Sequence, residues 1–242
     1  MSKDPLGDKM KAIESRETMR RGAVGKPIYI RIDGNNFSRL TKGMRKPFDT
    51  RMANAMESTT RDLMELFGAK IGYTQSDEIS LVLHNSDYEV AYGGKFQKLV
   101  SRTASAATAL FTFHATSFGL GDFIRYPKMA QFDSRAFEFD TISEAENCIF
   151  WRIKDAKKNS VQSVAREYLS HKEVQNVSSR DLEKILGETY TAYHPRFRFG
   201  TYFYVEKETR LLTEEELSAI PANHRPDGPV TRNAIRKVHI NV

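Results

Sequence analysis

With 242 residues, 40% hydrophobic and 28% charged, the chain has the composition of an ordinary globular protein with a full core, which excludes a disordered or fibrous class. Its single cysteine, Cys148, excludes an internal disulfide and a multi-cysteine zinc site and fits a reducing, cytoplasmic setting. The net charge of +6 is spread through the chain and favours a polyanionic partner such as nucleic acid.

Residues 1–18 are polar and charged, without the apolar segment of a secretory leader, and no stretch approaches membrane-spanning length. A soluble protein that stays in the cytoplasm is therefore expected. Residues 8–21 read as a helix, with Met10, Ile13 and Met19 able to share a face. Residues 28–32 are a β-favouring run that stops at Asp33-Gly34, which is turn punctuation. The strand thus carries a carboxylate to its own end, beside a glycine whose backbone can approach a ligand. Residues 35–47 read as a loop rich in Asn, Lys and Gly. Asp49 or Thr50 then caps a helix carrying Met52, Met56, Thr59, Leu63, Leu66 and Phe67 at helical spacing, ended by Gly68. Two apolar runs, 69–73 and 79–83, flank Gln75-Ser76-Asp77-Glu78 and read as a hairpin.

A long helix is expected over 87–116, small-sided at 104–109, followed by a loop over 119–128 and a strand over 132–139. Ser143 is read as the cap of a helix running toward Leu169, with Glu144 and Glu146 in its first turn. A helix at 179–186 ends at Gly187, residues 197–205 read as a strand, and Thr213 to Glu216 fits a capping box. From about Pro221 onward a loop or loose arm is expected. No linker divides the chain, so residues 141–242 are expected to complete the same domain as residues 1–140.

Asp33-Gly34 alone is a common turn, and adjacent acids at a hairpin bend are usually solvated. Their combination says more. If the two strand ends are neighbours, Asp33, Asp77 and Glu78 converge on one rim, suited to divalent metal holding nucleotide phosphates. Magnesium takes carboxylate and carbonyl oxygens, so Asp33, Asp77 and the Gly34 carbonyl are the candidate ligands and Glu78 is the third acid. Lys46, Asp49 and Arg51 lead into a helix: either a capped start with solvated cations, or a place where Lys46 faces a triphosphate. Arg152, Lys154, Lys157 and Lys158 are a solvated helix face or a track for an RNA backbone. His84, His114, His171 and His194 lack metal spacing, and Phe111, Phe113 and Phe118 are read as core.

Arg31-Ile32-Asp33-Gly34-Asn35-Asn36-Phe37, Lys46-Pro47, Asp49, Arg51, Gln75-Ser76-Asp77-Glu78, Phe132-Asp133 and Trp151-Arg152 stand together in one order. In that order the chain resembles the tRNA-His guanylyltransferase superfamily over roughly residues 5–205. The resemblance implies an α/β (α+β) fold: a polymerase-like palm, mainly antiparallel and ferredoxin-like, with helices packed on one face, its catalytic core in residues 1–140. It further implies a homotetramer, two Mg2+ ions, GTP and ATP as substrates, tRNA as acceptor, and growth of an RNA 5′ end in the 3′–5′ direction. Asp33, Asp77 and Glu78 are then the catalytic acids, with Asp33, Gly34 and Asp77 as metal ligands. The nucleotide contacts are Asp33, Gly34, Asn35, Asn36, Phe37, Ser38, Lys46, Asp49, Arg51, Ser76 and Asp77.

One departure matters. After Trp151-Arg152-x-x-Asp155 the tRNA-His enzymes carry His-Ile-Asn-Asn-Leu-Tyr-Asn, where residues 157–163 here read Lys-Lys-Asn-Ser-Val-Gln-Ser and keep only the first Asn. That pattern resembles the Thg-like branch, whose members extend and repair 5′-truncated tRNAs against a template. Template-dependent repair is the expectation. The alternatives are the tRNA-His guanylyltransferase itself, a non-catalytic tRNA-binding protein, which the intact acid set disfavours, and a nucleotide cyclase, which the Lys46 to Arg51 match disfavours.

Overall fold

In the computed structural model, which describes residues 4–84 and 90–240, six strands form one antiparallel sheet. They are β1 (Ile28–Gly34), β2 (Ile71–Gln75), β3 (Glu78–Leu83), β4 (Phe132–Glu138), β5 (Thr201–Arg210) and β6 (Val230–His239), in the order β4-β1-β3-β2-β5-β6. The helices are α1 (Pro5–Thr18), α2 (Phe37–Leu40), α3 (Thr50–Phe67), α4 (Phe96–Ser117), α5 (Ile142–Tyr168), α6 (His171–Val174), α7 (Ser179–Leu186), α8 (Glu188–Thr191), α9 (Pro195–Phe199) and α10 (Glu214–Ser218). Among the described residues no helix is long and apolar enough to cross a membrane.

Strand alternation sorts the core into two layers. Ile28, Ile30 and Ile32 of β1, with Ile79, Leu81 and Leu83 of β3, pack against Met56 and Leu63 of α3 and Leu99, Ala107 and Phe111 of α4. Each fully buried aliphatic there stabilises by about 1.5–3 kcal/mol. On the opposite face Tyr29, Tyr73 and Val82 pack against Ala145, Ile149, Ile153 and Ala156 of α5. The mainly antiparallel sheet is as expected, but its helices cover both faces rather than one. The reason lies in β3, where all six residues are buried and both parities of side chain need cover. The hydroxyl of Tyr29 satisfies itself within that second layer by donating to Ser80 Oγ at 2.7 Å.

Several boundaries differ from expectation for local reasons. The first helix ends at Thr18. Part of the expected 87–116 helix, residues 87–89, lies outside the described residues; α4 itself starts at Phe96, because Tyr92 and Gly93 take positive φ in the turn before it. The cap of α5 is Thr141, which accepts from the Glu144 N–H while Glu144 reaches back, so Ser143 is not the cap. The expected 35–47 loop contains the one-turn helix α2. The expected 197–205 strand is broken at Gly200, where φ is +85° and a Cβ would lie 2.5 Å from the Tyr73 ring. Residues before it form α9, and β5 begins after it. The expected C-terminal arm is instead β6, paired with β5 from His239 to Val230.

Candidate active site

The end of β1 and the β2–β3 turn are held together by backbone. The Gly34 N–H donates to the Asp77 carbonyl at 3.0 Å, and Asp33 lies opposite Glu78 on one side and Asp133 on the other. Gly34 is required by space: a Cβ there would lie 2.4 Å from the Phe37 ring and 2.8 Å from Asp77 Cβ. Ser76 turns the hairpin with φ of 56°, and its hydroxyl donates to Asp77 Oδ1 at 3.0 Å.

The three acids meet different surroundings. Burial pushes the Asp77 carboxyl up, and the negative charge of Asp33 adds to the rise. Among the described residues no Lys, Arg or His nitrogen lies within 4 Å of the Asp77 carboxylate, and Asp33 has only Arg31 at 3.7 Å. Glu78 is buried, which raises its proton affinity, but the Arg152 guanidinium opposes this through bonds of 2.6 Å from Nε and 2.5 Å from Nη2. Among the described residues no group of three or more His, Cys, Asp or Glu forms a metal cluster. What remains for a hard cation is the adjacent pair Asp33 and Asp77 with nearby backbone oxygens.

A cleft of about 490 Å³ opens from this pair and runs past Lys46 and Asp49 toward Arg152 and Arg196. Lys46 is exposed on its wall, with no carboxylate within 4 Å among the described residues. Asp49, 7% exposed, caps α3: its carboxylate accepts from the Arg51 N–H and Nε, from Arg51 Nη2 and from the Arg45 N–H. Those bonds, Arg51 foremost, hold its pKa at about 2. Arg51 also donates to the Gly119 carbonyl at 3.3 Å and lies over the Phe123 ring. Asp49 and Arg51 are thus engaged with the scaffold around Lys46. Asn35, Asn36 and Ser38 are exposed beside the acids, while the Phe37 ring packs into the core against Phe111 and Phe132.

The four α5 cations Arg152, Lys154, Lys157 and Lys158 do not stay together. Arg152 turns into the cleft toward Glu78, and Lys157 pairs with Glu183 at 2.9 Å. Lys154 and Lys158 are exposed. Phe111 is core as expected, but Phe113 is 66% exposed. His114 bonds Asp62 at 2.6 Å, in keeping with a structural role. Sequence reasoning missed Glu57, which lines the cleft and is held by Thr201 Oγ1 at 2.9 Å, Lys237 Nζ at 2.8 Å and Arg196 at 3.6 Å. Its partners come from α9, β5 and β6, so no local spacing could have shown them.

A family model described as tRNAHis guanylyltransferase matches residues 7–140. A bacterial tRNA(His) guanylyltransferase (Thg1)-like protein solved in complex with ATP is 32% identical, with a TM-score of 0.74 over 83% of this chain and 87% of its own. A bacterial Thg1-like protein in complex with GTP is 30% identical, with a TM-score of 0.71 over 96% and 91%. The tRNA(His) guanylyltransferase of Neurospora crassa is 26% identical over 222 residues, covering 83% of this chain and 75% of that protein.

Proposed function

The chain belongs to the tRNAHis guanylyltransferase family, and within that family of nucleotidyltransferases we propose that it is a template-dependent 3′–5′ polymerase adding NTPs to the 5′ end of truncated tRNA. The observation that carries the reading is the adjacent pair Asp33 and Asp77 at the mouth of a cleft, with no cation facing Asp77 among the described residues. Two close carboxylates, Asp77 with no counter-charge within 4 Å among the described residues and Asp33 with only Arg31 at 3.7 Å, fit Mg2+; Asp33, Asp77 and the Gly34 carbonyl would hold two ions. Magnesium bound there supplies phosphate charge neutralisation and a more acidic attacking hydroxyl. The ATP and GTP bound to the two bacterial relatives support an NTP in the cleft.

The chain's own groups divide the remaining work. Lys46 offers its ammonium to the triphosphate, and Asp49 with Arg51 fixes the loop that carries it. Asn35, Asn36, Ser38 and Ser76 present polar atoms to sugar and phosphate. Glu78, bound to Arg152, braces the strand end beside the pair. In the first step an oxygen of the RNA 5′-monophosphate attacks the α-phosphorus of ATP and pyrophosphate leaves. In the second, the 3′-hydroxyl of the incoming NTP attacks the RNA 5′-phosphorus, its proton passes to water, and AMP leaves. A homotetramer and a cytoplasmic location accompany this reading.

A second reading, addition of one guanosine to tRNAHis, is supported by the Neurospora relative. Incubating 5′-truncated, 5′-monophosphorylated tRNAs with Mg2+, ATP for the activation step and each NTP in turn, while swapping the template base opposite the 5′ end, separates the two. The nucleotide incorporated should follow the template base. Persistent G on tRNAHis alone overturns repair, and RNA binding without any Mg2+-dependent incorporation overturns catalysis.

A further inference from the structure

Helix α5 separates two cavities. Arg152, Ala156, Asn159 and Ser163 face the cleft, whereas Trp151, Lys154 and Lys158 face a second cavity of about 690 Å³, closed on its far side by Arg180 at the start of α7. The two acids on this groove are engaged, Asp155 with Arg152 at 3.3 Å and Glu183 with Lys157 at 2.9 Å. Lys154, Lys158 and Arg180 have no carboxylate oxygen within 4 Å among the described residues, so the groove carries three uncompensated positive charges. Trp151 is 56% exposed, and Phe150, also on α5, is 47% exposed beneath the ammonium of Lys154. An exposed indole lining the same groove as such cations answers to both parts of an unpaired nucleotide, base and phosphate.

The indole is also held in place. The guanidinium of Arg152 lies 4.8 Å from the Trp151 ring centroid, and the same guanidinium is bound to Glu78 in the cleft. Trp151 is therefore backed by a fixed cation and linked by one residue to the strand end that bears the acids. We propose that the groove between α5 and α7 binds a single-stranded segment of the RNA acceptor, one unpaired base stacking on Trp151 with its flanking phosphates on Lys154, Lys158 and Arg180. The proposal rests on the RNA-acceptor reading above and adds the subsite and the strandedness.

Trp151 is the only tryptophan in the chain, so intrinsic fluorescence reports this groove alone. The test titrates the full-length protein, without Mg2+ and with saturating GTP in the cleft, with single-stranded hexaadenylate and separately with a blunt RNA duplex. Hexaadenylate should quench Trp151 and the duplex should not. By anisotropy of labelled hexaadenylate, Trp151→Ala should weaken binding about tenfold and Trp151→Phe much less. Lys154→Ala, Lys158→Ala and Arg180→Ala together should flatten the salt dependence, by about 0.7 in log–log slope for each phosphate no longer neutralised. Absence of quenching, equal quenching by the duplex, or unchanged affinity in a folded Trp151→Ala protein overturns the groove. Quenching without nucleotidyl transfer to truncated tRNA under Mg2+ sinks the polymerase reading and leaves the groove standing. Transfer without quenching does the reverse.

Discussion

Replacing Asp49 with alanine removes the cap of α3 and the anchor of the loop bearing Lys46 in one step. Loss of a side-chain cap costs about 1 kcal/mol. The depressed carboxyl supplies an independent route to the size of the effect. A pKa near 2 against an ordinary 3.8 corresponds to about 2.5 kcal/mol. Arg51 is a third exposed, so solvent screening trims this to about 1.5–2 kcal/mol. The sign is fixed by the depression: the stabilisation is complete above pH ~4 and is lost as pH falls through about 2. In urea unfolding, Asp49→Ala should therefore lie about 2 kcal/mol below the parent at pH 7, with the gap closing as the pH approaches 2. Asp49→Asn, which keeps a capping oxygen but no charge, should fall between them. The KM for every NTP should rise in Asp49→Ala because the loop is loosened. If KM rises while stability is unchanged at pH 7, the carboxylate touches the nucleotide directly and the scaffold argument is wrong.

Asp33→Asn and Asp77→Asn should each abolish transfer and the Mg2+-induced rise in Tm, yet not lower the metal-free Tm, because each removes like-charge repulsion. A drop of several degrees without metal counts against the pairing. Lys46→Ala should weaken ATP and GTP alike by about 1.5–3 kcal/mol in equilibrium binding; a defect confined to one nucleotide would show that it reads the base. Glu78→Ala should destabilise by about 3 kcal/mol, since it leaves the largely buried Arg152 guanidinium with Asp155 as its one remaining carboxylate partner among the described residues, while Mg2+ binding survives. Parent-like melting with lost Mg2+ binding would make Glu78 a ligand.

What could be read in advance follows the range of the interaction. β1, α3 and the β2–β3 hairpin carry their own periodicity and punctuation, so Asp33 and Asp77 could be placed at strand ends without knowing the fold. The strand β6 could not. It lies at the sheet edge against β5, and its residues Arg232, Arg236 and Lys237 read like a solvated arm. Gly200 was unreadable for another reason: what forbids a side chain there is Tyr73, far away in the chain. The same holds for Glu78, whose partner lies 74 residues on, and for Glu57, whose partners come from three later elements. Metal-type acids at strand ends show in sequence; the cations that disarm one of them do not.

Asp77, half-buried, and Glu78, buried, are adjacent in sequence, and burial alone would raise both carboxyls. Parity divides them. Glu78 opens β3 opposite Asp33, and alternation along β3 puts it on the same face as Val82, which packs against α5. That face brings it the guanidinium of Arg152, so its charge is met within the protein. Asp77 belongs to the turn, where the backbone contact with Gly34 leaves it beside Asp33 and, among the described residues, without a cation. The rim's charge is consequently least compensated at Asp77 and at Asp33, which has only Arg31 at 3.7 Å, and on the proposed reading a divalent cation with its triphosphate is what completes it. Arg152 could not serve Asp77 as well as Glu78, because the contacts it makes with Glu78, Asp155 and Trp151 already occupy its guanidinium.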